Sequence, residues 1–136
     1  MVAYSFKPSF VPLIISGIKQ QTIRLPRKRH ARPGEDLQLF HGPRMRPVRI
    51  GGSICLSTSD VRLDFKRDTV LIGQVAELQG DDQLNAFATR DGFGDSRSGL
   101  APWEFMGRWW SVTHPDQPVF AGVLIDWGDT FREVSQ

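Results

Sequence analysis

The chain has 136 residues, 40% hydrophobic and 24% charged, with a formal net charge of +2, which fits a single globular domain spanning 1–136 and is too short for two comfortable ones. The charge is uneven: residues 1–50 hold ten Lys or Arg against two acids, Glu35 and Asp36, whereas residues 51–136 hold seven against thirteen, and such segregation points to a local polyanion site rather than to general stickiness. Cys55 is the one cysteine, so no disulfide closes within the chain. With no signal-like start at Met1–Ser5 and no apolar run long enough for a span, a cytoplasmic protein without membrane attachment is expected.

In chain order, Val2–Phe6 reads as a first strand. Ser9 is placed to cap a short helix carrying Phe10, Leu13 and Ile14 on one stripe, with Pro12 in its first turn and Gly17 as its stop. Gln21–Leu25 reads as a strand with Ile23 and Leu25 on one face and Thr22 and Arg24 on the other. Pro26–Pro33 is a cationic loop, Leu37–His41 a short strand, and Gly42-Pro43 a turn. Val48–Asp64 has strand character with a bulge expected at Gly51-Gly52. Thr69–Leu78 reads as one further strand with Val70, Ile72 and Val75 inward.

Helical signals come late. Asp81 or Asp82 starts a helix with Leu84, Phe87 and Ala88 on one face, ended by Gly92. Pro102 opens another, with Trp103, Met106, Trp109 and Trp110, supported by Glu104 and Arg108 at i,i+4 and stopped at His114-Pro115. Val119–Trp127 is an apolar run expected to be buried on both sides. Strands dominate and do not alternate with helices. The expected class is therefore α+β: a small, mostly antiparallel β-barrel with flanking helices.

Four groups of residues are candidates for chemistry. In the run Gly17-Ile18-Lys19-Gln20-Gln21-Thr22-Ile23-Arg24, Lys19 is placed to act as a base if burial lowers its pKa, Thr22 as a nucleophile, and Arg24 as a planar fork for phosphate or a base edge. The plain alternative is three solvent-facing side chains beside a strand. Arg24, Arg27, Lys28, Arg29, His30 and Arg32 put six potential cations in nine residues, a density suited to phosphates, with a merely solvated loop as the alternative. Asp91 falls at i+7 from Leu84 on an apolar stripe, which suits a paired carboxylate at a pocket rim, or an exposed last-turn residue. Of the aromatics, Trp109 and Trp110 suit a core, and Trp103, at the helix start, is the better placed to stack on a base. His30, His41, His114 and Cys55 lack metal-ligand spacing.

The run from Gly17 to Arg24 resembles the G-x-K-x-x-T-x-R signature of the ASCH domain family. Phe6-Lys7-Pro8 before the first helix, Pro33-Gly34-Glu35-Asp36 before the next strand, Phe87-Ala88 through Asp91-Gly92-Phe93, and the Trp-rich helix with a closing strand to Trp127 are similar to that family in the same order. The resemblance covers essentially the whole chain and implies a PUA-like barrel with a cleft for RNA or a nucleoside. One branch, related to the 4-acetylcytidine amidohydrolases, uses a Lys, a Thr three residues later and a Glu on a later helix. Lys19 and Thr22 match by type and spacing. Asp91 stands as the third group, an Asp where that branch has Glu, and the chain has added loops around Pro26–Pro33 and Gly94–Leu100.

The resemblance thus implies an RNA- or nucleoside-binding protein and, through that branch, an amidohydrolase acting on an acylated, 4-acetylcytidine-like nucleoside with Lys19, Thr22 and Asp91 as its catalytic set. Lys7, Arg24, Arg27, Lys28, Arg29, His30, Arg32 and Trp103 are the expected RNA- or substrate-binding residues. No metal or organic cofactor is implied. A non-catalytic RNA-binding module and a metal-independent ribonuclease using Lys19 or His30 remain open as alternatives, and the residues carry no oligomer signal.

Overall fold

The computed structural model describes residues 1–94 and 98–134. The loop Gly94–Leu100 therefore lies partly outside the described residues. Among the described residues, nine strands and three helices form in the order β1 (Val2–Phe6), α1 (Val11–Ile15), β2 (Gln21–Arg24), β3 (Asp36–His41), β4 (Val48–Ile54), β5 (Ser57–Asp64), β6 (Thr69–Ile72), β7 (Ala76–Gln79), α2 (Asp81–Ala88), α3 (Pro102–Thr113), β8 (Val119–Asp126) and β9 (Arg132–Glu133). A 3-10 turn, Pro8–Phe10, leads into α1, and a π-helical turn, Thr89–Phe93, extends α2.

The α+β class is as expected, but the strands do not close into a barrel. They form two sheets, ordered β1-β3-β4-β9 and β2-β8-β5-β6-β7. The second is antiparallel throughout. In the first, β1 and β3 run parallel, which the crossover through α1 and β2 makes possible. Strand β8 sits between β2 and β5, pairing with β5 along its whole length and with β2 from Val123 to Asp126. This central position explains its apolar composition, although its exposed Ala121 leaves one stretch of one face open.

Three local expectations give way to stronger effects. Ser9 does not cap α1, because the chain first winds a 3-10 turn around Pro8 and the cap position falls to Phe10. The segment Thr69–Leu78 is a hairpin rather than one strand. Gly73 takes a φ of 61° and turns the chain, leaving Val75 95% exposed at the tip. The bulge lies one residue before Gly51-Gly52: Leu39 pairs with Gly51 and Phe40 with Arg49, so Ile50 is the extra residue.

The core lies between the sheets and under α2 and α3. Leu37, Leu39, Leu63, Val70, Met106, Ile125 and Trp127 are completely or almost completely buried. The short segment joining α1 to β2 is tied into this core on three sides by backbone hydrogen bonds. Lys19 N donates to Leu13 O of α1 (2.9 Å), Gln20 N donates to Arg90 O of the π-helical turn (2.8 Å), and Trp127 N, just beyond β8, donates to Gln20 O (2.9 Å). Residues 19–21 are thus a three-way junction between elements far apart in sequence.

Gly92 belongs to the same junction. Its φ of 104° is strained for a side chain, and an added Cβ would lie 2.8 Å from Phe10 Cδ1 and 3.0 Å from Lys19 Cδ. A Gly92→Ala substitution is expected to cost about 2 kcal/mol or more, by combining left-handed strain with overpacking. Urea denaturation at neutral pH measures this, and an unchanged midpoint would show that the turn relaxes freely.

Candidate functional site

The junction forms the floor of a cavity of about 290 Å³ that opens between β1, β2, the π-helical turn and α3. The size is near the lower end of small-molecule sites. Its polar floor comprises Lys19, Thr22, Arg24 and Asp91, and its walls are aromatic, with Phe6, Phe10, Phe93 and Trp109 foremost. Phe10 and Phe93 meet edge to face at 5.6 Å, and both rings pack on Trp109, at 5.9 and 5.4 Å.

Lys19 and Asp91 are each 3% exposed. The Lys19 ammonium reaches the backbone carbonyl of Asp91 and stands over the rings of Phe10 (4.8 Å) and Phe6 (5.5 Å). The Asp91 carboxylate is held separately, with Gln21 Nε2 donating to its Oδ1 at 3.3 Å. Burial lowers the Lys19 pKa to about 8; the negative charge of Asp91 opposes that effect and the positive charge of Arg24 adds to it. Burial raises the Asp91 pKa to about 6, against the opposing influence of Lys19, the Gln21 hydrogen bond and Arg24. The pair is therefore poised around neutral pH, as proton-transfer groups are.

Thr22 is buried on β2, and its Oγ1 accepts a hydrogen bond from Arg24 Nε at 3.0 Å. Arg24 also donates to Ser5 O from Nη2 (2.7 Å) and lies over Phe6 (4.8 Å) and Tyr4 (5.3 Å). Burial lowers the Arg24 pKa to about 10, so its guanidinium remains a cation at neutral pH. Two of its five N–H groups are committed in this way, which leaves others for a ligand.

The structure thus brings Lys19, Thr22, Arg24 and Asp91 together and places Lys7 at the rim, its Nζ 5.1 Å from the Trp109 ring centroid. It does not bring the rest of the cationic loop along. Arg27 packs over Tyr4 at 4.8 Å and donates to Arg29 O, and Arg29 pairs with Glu35 at 2.5 Å. His30 is taken up in a latch: its Nε2 donates to Leu25 O (2.8 Å), and its Nδ1 accepts from Tyr4 Oη (2.9 Å), which itself accepts from Ala31 N. Lys28 and Arg32 are exposed on the loop, away from the cavity lining.

Trp103 lies elsewhere, stacked on Phe65 at 4.7 Å with its Nε1 donating to Asp68 Oδ1 (2.9 Å). On α3 it is Trp109 and Trp110, six and seven residues later, that line the cavity. Gln21 and the wall aromatics were not legible as site residues. The one clue for Gln21 in the sequence was its place between Lys19 and Thr22, two residues after the first and next to the second. Among the described residues no group of three or more His, Cys, Asp or Glu side chains forms a metal-ligand set, and no helix is long and apolar enough to cross a membrane.

A mixed α+β domain of two sheets, with an open, aromatic-walled cavity over a buried Lys–Asp junction, is the class that fold and site define. Neither protein-family models nor curated proteins match the chain. Among solved structures, it is similar to a mutant of ZmASCH from Zymomonas mobilis, with a TM-score of 0.51 and 13% identity, over 98% of this chain and 73% of that one. The chain accordingly has the fold of an ASCH-domain protein.

The shifted pair predicts how stability depends on pH. The folded state holds the Asp91 proton more tightly than the unfolded chain, so stability falls as pH rises from 3.8 to about 6. It gives up the Lys19 proton more readily, so stability rises again from about 8 to 10.5. Urea midpoints at about pH 4, 7 and 10 are expected to show this trough, and a Lys19→Met/Asp91→Asn double variant to lack it. Parallel profiles for the two proteins would contradict the burial of the charges.

Proposed function

We propose that this chain binds a nucleoside, free or within RNA, and hydrolyses an acyl amide on its base, with 4-acetylcytidine as the type substrate. The observation that carries the reading is the gathering of Lys19, Thr22, Arg24 and Asp91 on the floor of one aromatic-walled cavity. A flat ring such as a nucleobase packs well against an aromatic wall of this kind, and the polar floor then meets the exocyclic edge of the base.

In this reading, neutral Lys19 takes the Thr22 hydroxyl proton as Thr22 Oγ bonds to the acyl carbon. Arg24, already donating to that oxygen, keeps a fixed positive charge beside the developing oxyanion. Lys19 then returns the proton to the exocyclic nitrogen as the C–N bond breaks and the amine leaves. Water hydrolyses the resulting acyl-Thr22 ester, which releases the carboxylic acid and restores the hydroxyl. Asp91 positions Lys19 through its backbone carbonyl, and its carboxylate supplies negative charge to the ammonium formed in the first step.

Because Lys19 must be neutral to accept the proton, the rate is expected to rise with pH and to level off above about 8. Lys19→Ala and Thr22→Val are each expected to lower acetate release from 4-acetylcytidine by about a hundredfold or more. Wild-type release no greater than that of Lys19→Ala would eliminate the hydrolytic step. Nucleoside binding without acetate release would then leave a non-catalytic binding module.

A further inference from the structure

The cavity and the Pro26–Pro33 loop leave part of the N-terminal charge unused. Of the ten cations in residues 1–50, Arg44, Arg46 and Arg49 lie on the β3–β4 hairpin, within a stretch from Leu37 to Ser59 that holds no acid. All three are exposed. Among the described residues none of them forms an ion pair or lies over an aromatic ring. A turn closed by Arg46 N donating to Pro43 O (2.9 Å) bends the tip.

Strand register brings this charge to the mouth of the cavity. Ser5 and Lys7 line the cavity and are exposed. Ser5 pairs with Phe40 of β3, and Phe40 pairs with Arg49 of β4. Residues paired across strands share one face of a sheet, so the three form a row. That face is the outer one, because Ser5 follows buried Tyr4 and Arg49 precedes buried Ile50. At ~4.8 Å between neighbouring strands, the row runs ~10 Å from the cavity mouth to Arg49. Strands β1 and β3 are parallel and Phe6 pairs with His41, so Lys7 and the hairpin leave the sheet at the same end.

Phe40 gives the row its character. It is half-buried, yet it stands apart from the core between the sheets. Arginines alone suit any polyanion. An aromatic ring on an open sheet face beside an arginine suits a strand with unpaired bases, since a base stacks on the ring and the adjoining phosphate meets the cation. The cavity makes the same demand, because a base inside a duplex must leave its stack to enter.

We propose that the nucleoside reaches the cavity as part of a single-stranded RNA. The strand leaves past Ser5 and crosses the outer face of β1, β3 and β4, with a neighbouring base on Phe40 and phosphates on Arg44, Arg46 and Arg49. This path rests on the nucleoside reading above. It adds that the substrate is carried by a polynucleotide rather than free, and it moves the phosphate contacts from the Pro26–Pro33 loop to the hairpin.

The test is calorimetry with two ligands: cytidine, and an RNA pentamer of uridines with cytidine at its centre. The proteins are the wild type, Arg44→Gln/Arg46→Gln/Arg49→Gln, Phe40→Ala, and Lys28→Gln/Arg32→Gln. At low salt the wild type is expected to bind the pentamer about a hundredfold more tightly than cytidine. The triple arginine variant is expected to keep the cytidine affinity while the slope of log affinity against log salt for the pentamer falls by about 2, at about 0.7 per phosphate contact. Phe40→Ala is expected to weaken the pentamer about tenfold and cytidine not at all. Retained cytidine binding shows that each variant is folded. A pentamer held no more tightly than cytidine, or a salt slope that survives the arginine substitutions, overturns the path and leaves nucleoside binding intact. A slope lost instead in Lys28→Gln/Arg32→Gln overturns it too, and returns the phosphates to the loop. If neither ligand binds the wild type, the nucleoside reading falls and the path with it.

Discussion

A buried ammonium reaching a backbone carbonyl holds this molecule's site and its fold together. Placing Lys19 at 3% exposure is costly, because an amine removed from water loses hydration that few protein groups replace. The chain offsets this with the Asp91 carbonyl, two aromatic faces and a nearby carboxylate. None of these would be in place without the backbone bonds from residues 19 and 20 to α1 and the π-helical turn, and from Trp127 to Gln20. The same bonds that join the two ends of the fold therefore set the protonation behaviour of the site. The Arg90–Asp126 ion pair (2.8 Å) spans the same seam, but it is partly exposed and adds little to stability.

The uneven charge of the N-terminal third acquires a different meaning from this arrangement. Four of its cations lie over aromatic rings: Lys7 on Trp109, Lys19 on Phe10 and Phe6, Arg24 on Phe6 and Tyr4, and Arg27 on Tyr4. Such contacts replace lost hydration with the electrons of the ring face. A count of charges cannot separate cations committed in this way, or to Glu35 in the case of Arg29, from those left for a polyanion. The density of charge between Arg24 and Arg32 thus reflects internal packing as much as it does an outward-facing surface.

The same distinction explains how much was legible in the sequence. The strands Val2–Phe6 and Val119–Asp126 and the helix opened by Pro102 depend on local pattern, and the pattern sufficed. The spacing of Lys19 and Thr22 placed both on the cavity floor because they lie within one short segment. What depended on partners distant in sequence was hidden. The parallel pairing of β1 with β3 requires a crossover that no local signal marks. The β6–β7 hairpin was obscured because apolar residues continue through Gly73 to Val75. The choice between Trp103 and Trp109 turned on what α3 packs against: Phe65 and Asp68 claim the first, and Phe10 and Phe93 leave the second beside the cavity.

The role of the acid at position 91 follows from the turn that carries it. A regular helix would point its carbonyls along the axis, and only a side chain could reach across to β2. The Thr89–Phe93 segment is wound as a π-helical turn and reverses at Gly92 with a φ of 104°, a widening that frees backbone groups from the helical ladder. The Asp91 carbonyl is one such group, and it takes the ammonium itself. The side chain then has only to reach Gln21, which an Asp does at 3.3 Å. The carbonyl that takes the ammonium and the carboxylate that takes Gln21 therefore belong to one arrangement, set by the shape of the turn.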